Sequence, residues 1–221
     1  FLLTLVPAML ALGTGPCLFE RHPGVAIWLD PATTHQVIDG LGGSAANESE
    51  LRGMPEPDRS AVMDLVFGDL EPSVVRIKPR PAMEPTNDDA DPAVVNAAGF
   101  VRPDDHLWQL DEIFARGGAP RLIAALWTPP AWMKTNGSEL RGSLSPGMES
   151  ELAEFFSVYV GYLLGAGYTL DGLSIQNEPE AASPWDANTY IPTRMDDVAE
   201  AVAQRLLADG HATTLHGPDN A

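Results

Sequence analysis

Short apolar runs separated by helical patterns recur along most of this 221-residue chain. Ser73-Val74-Val75-Arg76-Ile77, Arg121-Leu122-Ile123-Ala124-Ala125-Leu126, Leu173-Ser174-Ile175 and Ala212-Thr213-Thr214-Leu215-His216 read as strands. Helices are expected from Arg59 to Phe67, from Asp105 to Arg116, from Glu149 to Leu164 and from Asp196 to Ala208. In the second of these Leu107, Leu110, Ile113 and Phe114 share one face, and Gly117-Gly118 ends it. Strands joined through a helix are parallel, because a hairpin turn cannot make that connection. Strand, helix, strand, helix therefore predicts an α/β sheet or barrel. Upstream, Val25 to Leu29 reads as a short strand, and Gln36 to Ser44 as a strand running into a glycine-rich turn.

The later strands begin near positions 73, 121, 171 and 212, so each βα unit takes about 40 to 50 residues. Eight such units need well over the ~250 residues typical of a (β/α)8 barrel. The chain is expected to hold about the first five. Such an open run of parallel strands has two unpaired edges and half a core, which favours aggregation.

Composition narrows the partners. With 13 basic and 31 acidic residues the formal charge is −18, which argues against nucleic acid or an anionic membrane surface. A neutral ligand such as a polysaccharide is compatible with it, as is acidity that serves only solubility. The run Phe1 to Leu12 is almost wholly apolar, too short to span a membrane, and has the length of a secretory h-region. Residues 1–17 are thus expected to be a secretory leader and the protein extracellular. Cys17 suggests lipoprotein anchoring, which Pro16 before it disfavours. Residues 18–34 form a lead-in segment, and the main domain is expected over 35–221.

Polar and aromatic residues collect just past the strands. Ile77 leads into Lys78-Pro79-Arg80, and Leu126 into Trp127-Thr128-Pro129-Pro130-Ala131-Trp132-Met133-Lys134. Ile175 leads into Gln176-Asn177-Glu178-Pro179, where the proline cannot extend a ladder. In parallel α/β folds these ends face one mouth, where barrel enzymes place their chemistry. Trp127, Trp132 and Trp185 can offer flat faces to sugar rings or belong to the core, while Asn177, Lys134 and Asn136 can hydrogen-bond hydroxyls. Arg76, inside an apolar strand, either steadies site carboxylates or serves as a buried ion-pair partner. His35, His106, His211 and His216 have no metal-ligand spacing, and no metal or cofactor is expected. Gly40-Leu41-Gly42-Gly43 lacks the Gly-Lys-Ser/Thr ending of a phosphate loop.

Three segments together carry a resemblance: Gln36-Val37-Ile38-Asp39-Gly40-Leu41-Gly42-Gly43-Ser44, Trp127-Thr128-Pro129-Pro130-Ala131-Trp132-Met133-Lys134-Thr135-Asn136-Gly137 and Ser174-Ile175-Gln176-Asn177-Glu178-Pro179. In that order they resemble glycoside hydrolase family 30, which includes glucosylceramidases, glucuronoxylanases, endo-β-1,6-glucanases and β-1,6-galactanases. The match covers about residues 25 to 221. It implies a (β/α)8 barrel with a small β-domain drawn from both chain ends, and retaining hydrolysis by two glutamates. Glu178 then matches the acid/base at the end of the fourth strand, and Asn177 the asparagine that binds the sugar 2-hydroxyl. The nucleophile belongs to the seventh strand, beyond Ala221; Asp39, Glu48 and Glu180 do not match its place.

The implied substrate is a β-linked polysaccharide or glycoconjugate, cleaved without a cofactor. Lys134-Thr135-Asn136-Gly137 with Gly142-Ser143-Leu144 is similar to glucosylceramidases, whereas Ser174 to Pro179 is similar to xylanases. The rival readings are a carbohydrate-binding barrel without catalysis, and a fragment inactive by itself.

Overall fold

The computed structural model describes residues 36–45, 48–88, 91, 94, 96–102 and 104–219. The apolar leader, Cys17, the strand expected at Val25 to Leu29 and His35 lie outside the described residues. Ile38–Ala221 form one compact unit.

Its elements are β1 (Gly42–Ser44), α1 (Glu48–Gly53), α2 (Asp58–Met63), β2 (Val74–Ile77), α3 (Asp104–Ala115), β3 (Arg121–Ala125), α4 (Glu149–Gly165), β4 (Leu170–Ser174), α5 (Pro192–Ala208) and β5 (Thr214–His216). A wider, π-helical turn over Asp64–Asp69 continues α2. The five strands form one parallel sheet in the order β1-β2-β3-β4-β5. No strand reverses that order. Each crossover therefore advances the same way, and with right-handed crossovers the helices gather on one face.

Strand alternation then decides what each face holds. Val75 and Ile77 of β2, Leu122 and Ala124 of β3, and Leu170 and Leu173 of β4 share a core with Leu110 and Ile113 of α3. Phe155, Phe156, Tyr159 and Leu163 of α4 and Val198, Val202 and Leu206 of α5 complete it. The register partners Ser44, Arg76, Ile123 and Gly172 line up across the opposite face. There a Cβ on Gly172 would stand 2.4 Å from His216 Nε2, so the His216 ring needs that glycine.

Most expected elements shift by a residue or two and α1 is an addition; three differences have a local reason. The glycines of 40–43 do not form a turn; Gly42 and Gly43 are themselves in β1, and Gln36 to Leu41 precede it. A Cβ on Gly42 would lie 2.3 Å from the Val74 carbonyl oxygen, so β1 can lie this close to β2 only without a side chain there. Strand β4 starts three residues before the expected Leu173 and ends at Ser174, one residue before Ile175, where the Ser174 hydroxyl donates to the Gly217 carbonyl at 3.1 Å as the chain leaves the ladder. Helix α5 starts four residues early, since Pro192 suits a first helical turn, where its missing N–H costs nothing.

Candidate active site

Beyond Ser174 the chain lies between the tips of β3 and β5. Asn177 N–H donates to the Leu126 carbonyl at 2.7 Å, and Asp219 N–H donates to the Gln176 carbonyl at 3.0 Å. Glu178 N–H in turn donates to the Asp219 carbonyl at 2.7 Å. Asn177 and Asp219 so form one isolated parallel bridge past the ends of their strands. Gln176, fully buried, donates from its side-chain amide to the Trp127 and Asn177 carbonyls, both at 2.8 Å. Neighbouring strand tips therefore fix the backbone that carries Asn177 and Glu178.

Glu178 itself has φ +47°, the left-handed region that a residue with a side chain seldom enters. Holding it there costs of order 1–3 kcal/mol, and such strain gathers where a side chain must be aimed. Its carboxyl is half-buried and has no hydrogen-bond or ion-pair partner among the described residues. A carboxyl held this way can give or take a proton from a bound molecule.

Arg76, on β2, joins the group. Its guanidinium donates to Asn177 Oδ1 at 2.6 Å and, through Nε, to Asp219 Oδ2 at 2.9 Å; a second nitrogen lies 2.8 Å from the same carboxylate oxygen. Of the two roles open to Arg76, the ion pair is thus with Asp219. The amide that neighbours Glu178 is fixed with its oxygen on Arg76, which leaves its nitrogen as a donor.

The other candidates divide. Lys78 Nζ sits 4.0 Å from the centroid of the Trp127 ring and 2.5 Å from Asp186 Oδ2. One face of Trp127 is thereby occupied by an ammonium. Trp132 is half-buried and donates its indole N–H to the Glu84 carbonyl at 3.0 Å. Trp185 is 53% exposed. Lys134 is buried, and its ammonium donates to Thr128 Oγ1 at 2.7 Å, to the Ala187 and Glu139 carbonyls at 2.6 and 3.3 Å, and to the Arg141 carbonyl. Burial pulls its pKa down to about 8, against the opposing charges of Glu139 and Asp186. Asn136 ties its own turn, donating to the Leu140 carbonyl at 2.9 Å and accepting from Ser138 N–H. Both Lys134 and Asn136 thus organise the loop after β3, and their hydrogen bonds are made to other protein groups.

The sequence reading did not single out Asp219, Asp186 or Gln176. The same rule that found Glu178, the first polar residues past a strand, also points to Asp219 after β5. Asp186 lies deep in a loop, where no periodicity marks it. Among the described residues no cluster of His, Cys, Asp and Glu is arranged to hold a metal, and no helix is long and apolar enough to cross a membrane.

No family model matches the chain. A curated endo-1,6-β-D-glucanase of Neurospora crassa is 23% identical over 166 residues, covering 67% of this chain and 35% of that protein. Among solved structures, an endo-β-1,6-glucanase aligns over 86% of this chain and 46% of its own, with TM-score 0.66 and 24% identity. A glycoside hydrolase family 30 subfamily 8 xylanase from Clostridium acetobutylicum aligns over 84% of this chain and 43% of its own, with TM-score 0.61 and 26% identity. The chain thus resembles the family 30 enzymes, and it spans less than half the length of each of these proteins.

Proposed function

We propose that this chain is the N-terminal part of a secreted retaining β-glycosidase of the family 30 type, with Glu178 as its acid/base. The observation that carries the reading is the placement of Glu178 past the tip of β4, beside an Asn177 amide fixed by Arg76. The sequential strand order supports a barrel, since the first five strands of a (β/α)8 fold follow one another in this way. Residues 18–34 would then contribute to an accessory β-domain, and strands six to eight would follow Ala221.

In such an enzyme one carboxyl protonates the leaving oxygen while a second, about 5 to 5.5 Å away, attacks the anomeric carbon. Glu178 is the first, and the second is assigned to the seventh strand. Two carboxyls at that range resist carrying charge together, so such a pair shares one proton until the glycosyl-enzyme forms. Once the nucleophile is esterified its charge is gone. Glu178, having given up its proton, then takes one from water as that water attacks. The Asn177 amide nitrogen donates to the sugar 2-hydroxyl, and this bond strengthens as the oxocarbenium-like state develops. Arg76 keeps the amide from rotating by half a turn, which would present the acceptor instead of the donor.

Acidity and exposed Trp185 suit a neutral glycan, and the relatives point to a β-linked glucan or xylan, with β-1,6-glucan first. The test is reducing-sugar release by the full-length protein on β-1,6-glucan, xylan, β-1,6-galactan and an aryl β-glucoside, beside Glu178→Gln. Release from one of them, lowered about 1,000-fold in the variant, is expected. A folded protein inactive on all four, yet retained by one of the glycans, would replace the reading with a binding barrel. The isolated 221-residue chain is expected to release no sugar above background.

A further inference from the structure

The loops after β3 and β4 are joined along their length, and β2 reaches up to hold them. Ala187 N–H donates to the Glu139 carbonyl at 3.1 Å, Thr189 N–H donates to the Gly142 carbonyl at 2.9 Å, and Leu140 and Asp186 form an antiparallel bridge. Ser143 and Thr189 hydroxyls meet at 3.0 Å, and Lys134 crosses from the first loop to the Ala187 carbonyl. The two loops thereby make one rim. Among the described residues, Lys78 supplies the charged tie from this rim to β2, through Asp186.

That tie is built rather than incidental. Lys78 and Asp186 are only 18% and 21% exposed, so the pair is largely screened from water. A long lysine side chain gives up about 2 kcal/mol of rotamer freedom when it is fixed, and an ordinary exposed pair does not recover that. Here the ammonium also lies on the Trp127 ring, a second favourable contact that fixes its direction. The Trp127 carbonyl is held by Gln176, two residues before Glu178. Lys78, Trp127 and Asp186 therefore link the backbone of the reacting carboxyl to the rim.

On the rim, immediately before Asp186, stands Trp185, and across the bridge stands Leu140; they are 53% and 51% exposed. An exposed tryptophan on a pinned loop is a platform for a sugar ring, because ordering it has already been done before the ligand arrives. The geometry points to Lys78 and Asp186 as positioning residues that hold Trp185 as a stacking platform for a sugar beyond the bond that is cut. This rests on the glycosidase reading, and it assigns to the pair a specificity role in glycan length: longer β-linked oligosaccharides gain from the platform and short aryl glycosides do not.

The experiment has two arms on the full-length protein. Amide hydrogen exchange across 179–191 is compared in wild type, Lys78→Met and Lys78→Arg; exchange at least 10-fold faster in Lys78→Met, largely restored in Lys78→Arg, is expected. Unchanged exchange overturns the tie. In the second arm, KM and kcat are measured for a β-linked tetrasaccharide and an aryl β-glycoside, with Trp185→Ala alongside. Lys78→Met and Trp185→Ala are both expected to raise the tetrasaccharide KM about 10-fold, at least fivefold more than the aryl glycoside KM, with kcat changed less. Equal effects on the two substrates overturn the platform and leave the glycosidase reading standing. Wild type inactive on both substrates, whatever the exchange result, overturns the platform together with that reading.

Discussion

At the tips of β2, β3 and β4, side chains from one strand end on the loop of another: Arg76 on Asn177 and Asp219, Lys78 on Asp186, Lys134 on Ala187. Along β1 the contacts are made mostly by backbone groups, with the Ser73 hydroxyl added. Ser73 N–H and hydroxyl both meet Leu41, Ala45 N–H donates to the Arg76 carbonyl at 2.7 Å, and the side chains of Ile38, Leu41 and Leu70 are more than two-thirds exposed. Leu41, Gly42, Gly43, Phe67, Leu70 and Val75 line a cleft of about 380 Å³ beside this edge. The difference separates two kinds of order. At the tips Arg76, Lys78 and Lys134 find partners among the described residues, so their geometry can be argued from those residues. Among the described residues β1 pairs only with β2 and leaves Ile38, Leu41 and Leu70 exposed, the usual state of an edge strand beside an uncovered apolar patch.

The largest effect expected from breaking this contrast is at the tips. Arg76→Met leaves Asn177 free to rotate and Asp219 unpaired, and should lower glycan hydrolysis by the full-length protein about 100-fold, in the range of a small misplacement near the reacting atoms. It should also cost about 2 kcal/mol in urea denaturation, less than a fully buried pair because Asp219 is 39% exposed. An activity within threefold of wild type would mean that Arg76 is an ion-pair partner alone. Next in size is Gly42→Ala. The added Cβ meets the Val74 carbonyl at 2.3 Å, and β1 must shift from β2 at a cost of about 2 kcal/mol by the same measurement. A loss below about 0.5 kcal/mol would show that β1 does not depend on close approach.

Smallest in the chain alone, and most telling, is Leu41→Lys with Leu70→Lys. Both side chains are exposed, so in the isolated 221-residue chain the unfolding free energy should change by less than about 0.5 kcal/mol, while light scattering reports less aggregation. In the full-length protein the same pair should cost more than about 2 kcal/mol, because each lysine would then be buried without a partner. Equal effects in the two would mean that nothing covers the edge.

Much of the frame was legible because its signals are local. The period-two apolar runs at 74–77 and 121–125 and the helical stripe through Leu107, Leu110 and Ile113 each report one element's own burial. Boundaries set by a neighbour were not. That β1 consists of Gly42–Ser44 depends on how near Val74 comes, and a glycine pair in sequence looks the same in a turn. Register was equally hidden. Asp171 sits at a bulge between β3 and β4, where its carboxylate accepts from Leu122 N–H at 2.9 Å, and no spacing in the sequence marks that shift. At the site, Glu178 and Asn177 stand out in the sequence as polar residues past a strand, and Arg76 as a charge inside an apolar one. Asp219 and Asp186 acquire a role only once β2 has brought Arg76 and Lys78 beside them. Lys134 and Asn136 show the converse: polar residues past a strand whose hydrogen bonds turn inward to the loop.

The central claim, that Glu178 protonates the leaving group, is tested most directly by varying that group. Glu178→Ala in the full-length protein would be assayed on β-glycosides whose leaving groups run from a sugar alcohol to dinitrophenol. An acid is needed only where the departing oxygen is basic, so the variant should lose about 1,000-fold or more on the sugar leaving group. On dinitrophenol, formation of the glycosyl-enzyme should be nearly unaffected, seen as a burst followed by slow turnover. Equal loss of that first step across the whole series would contradict the assignment and return Glu178 to a binding or structural role.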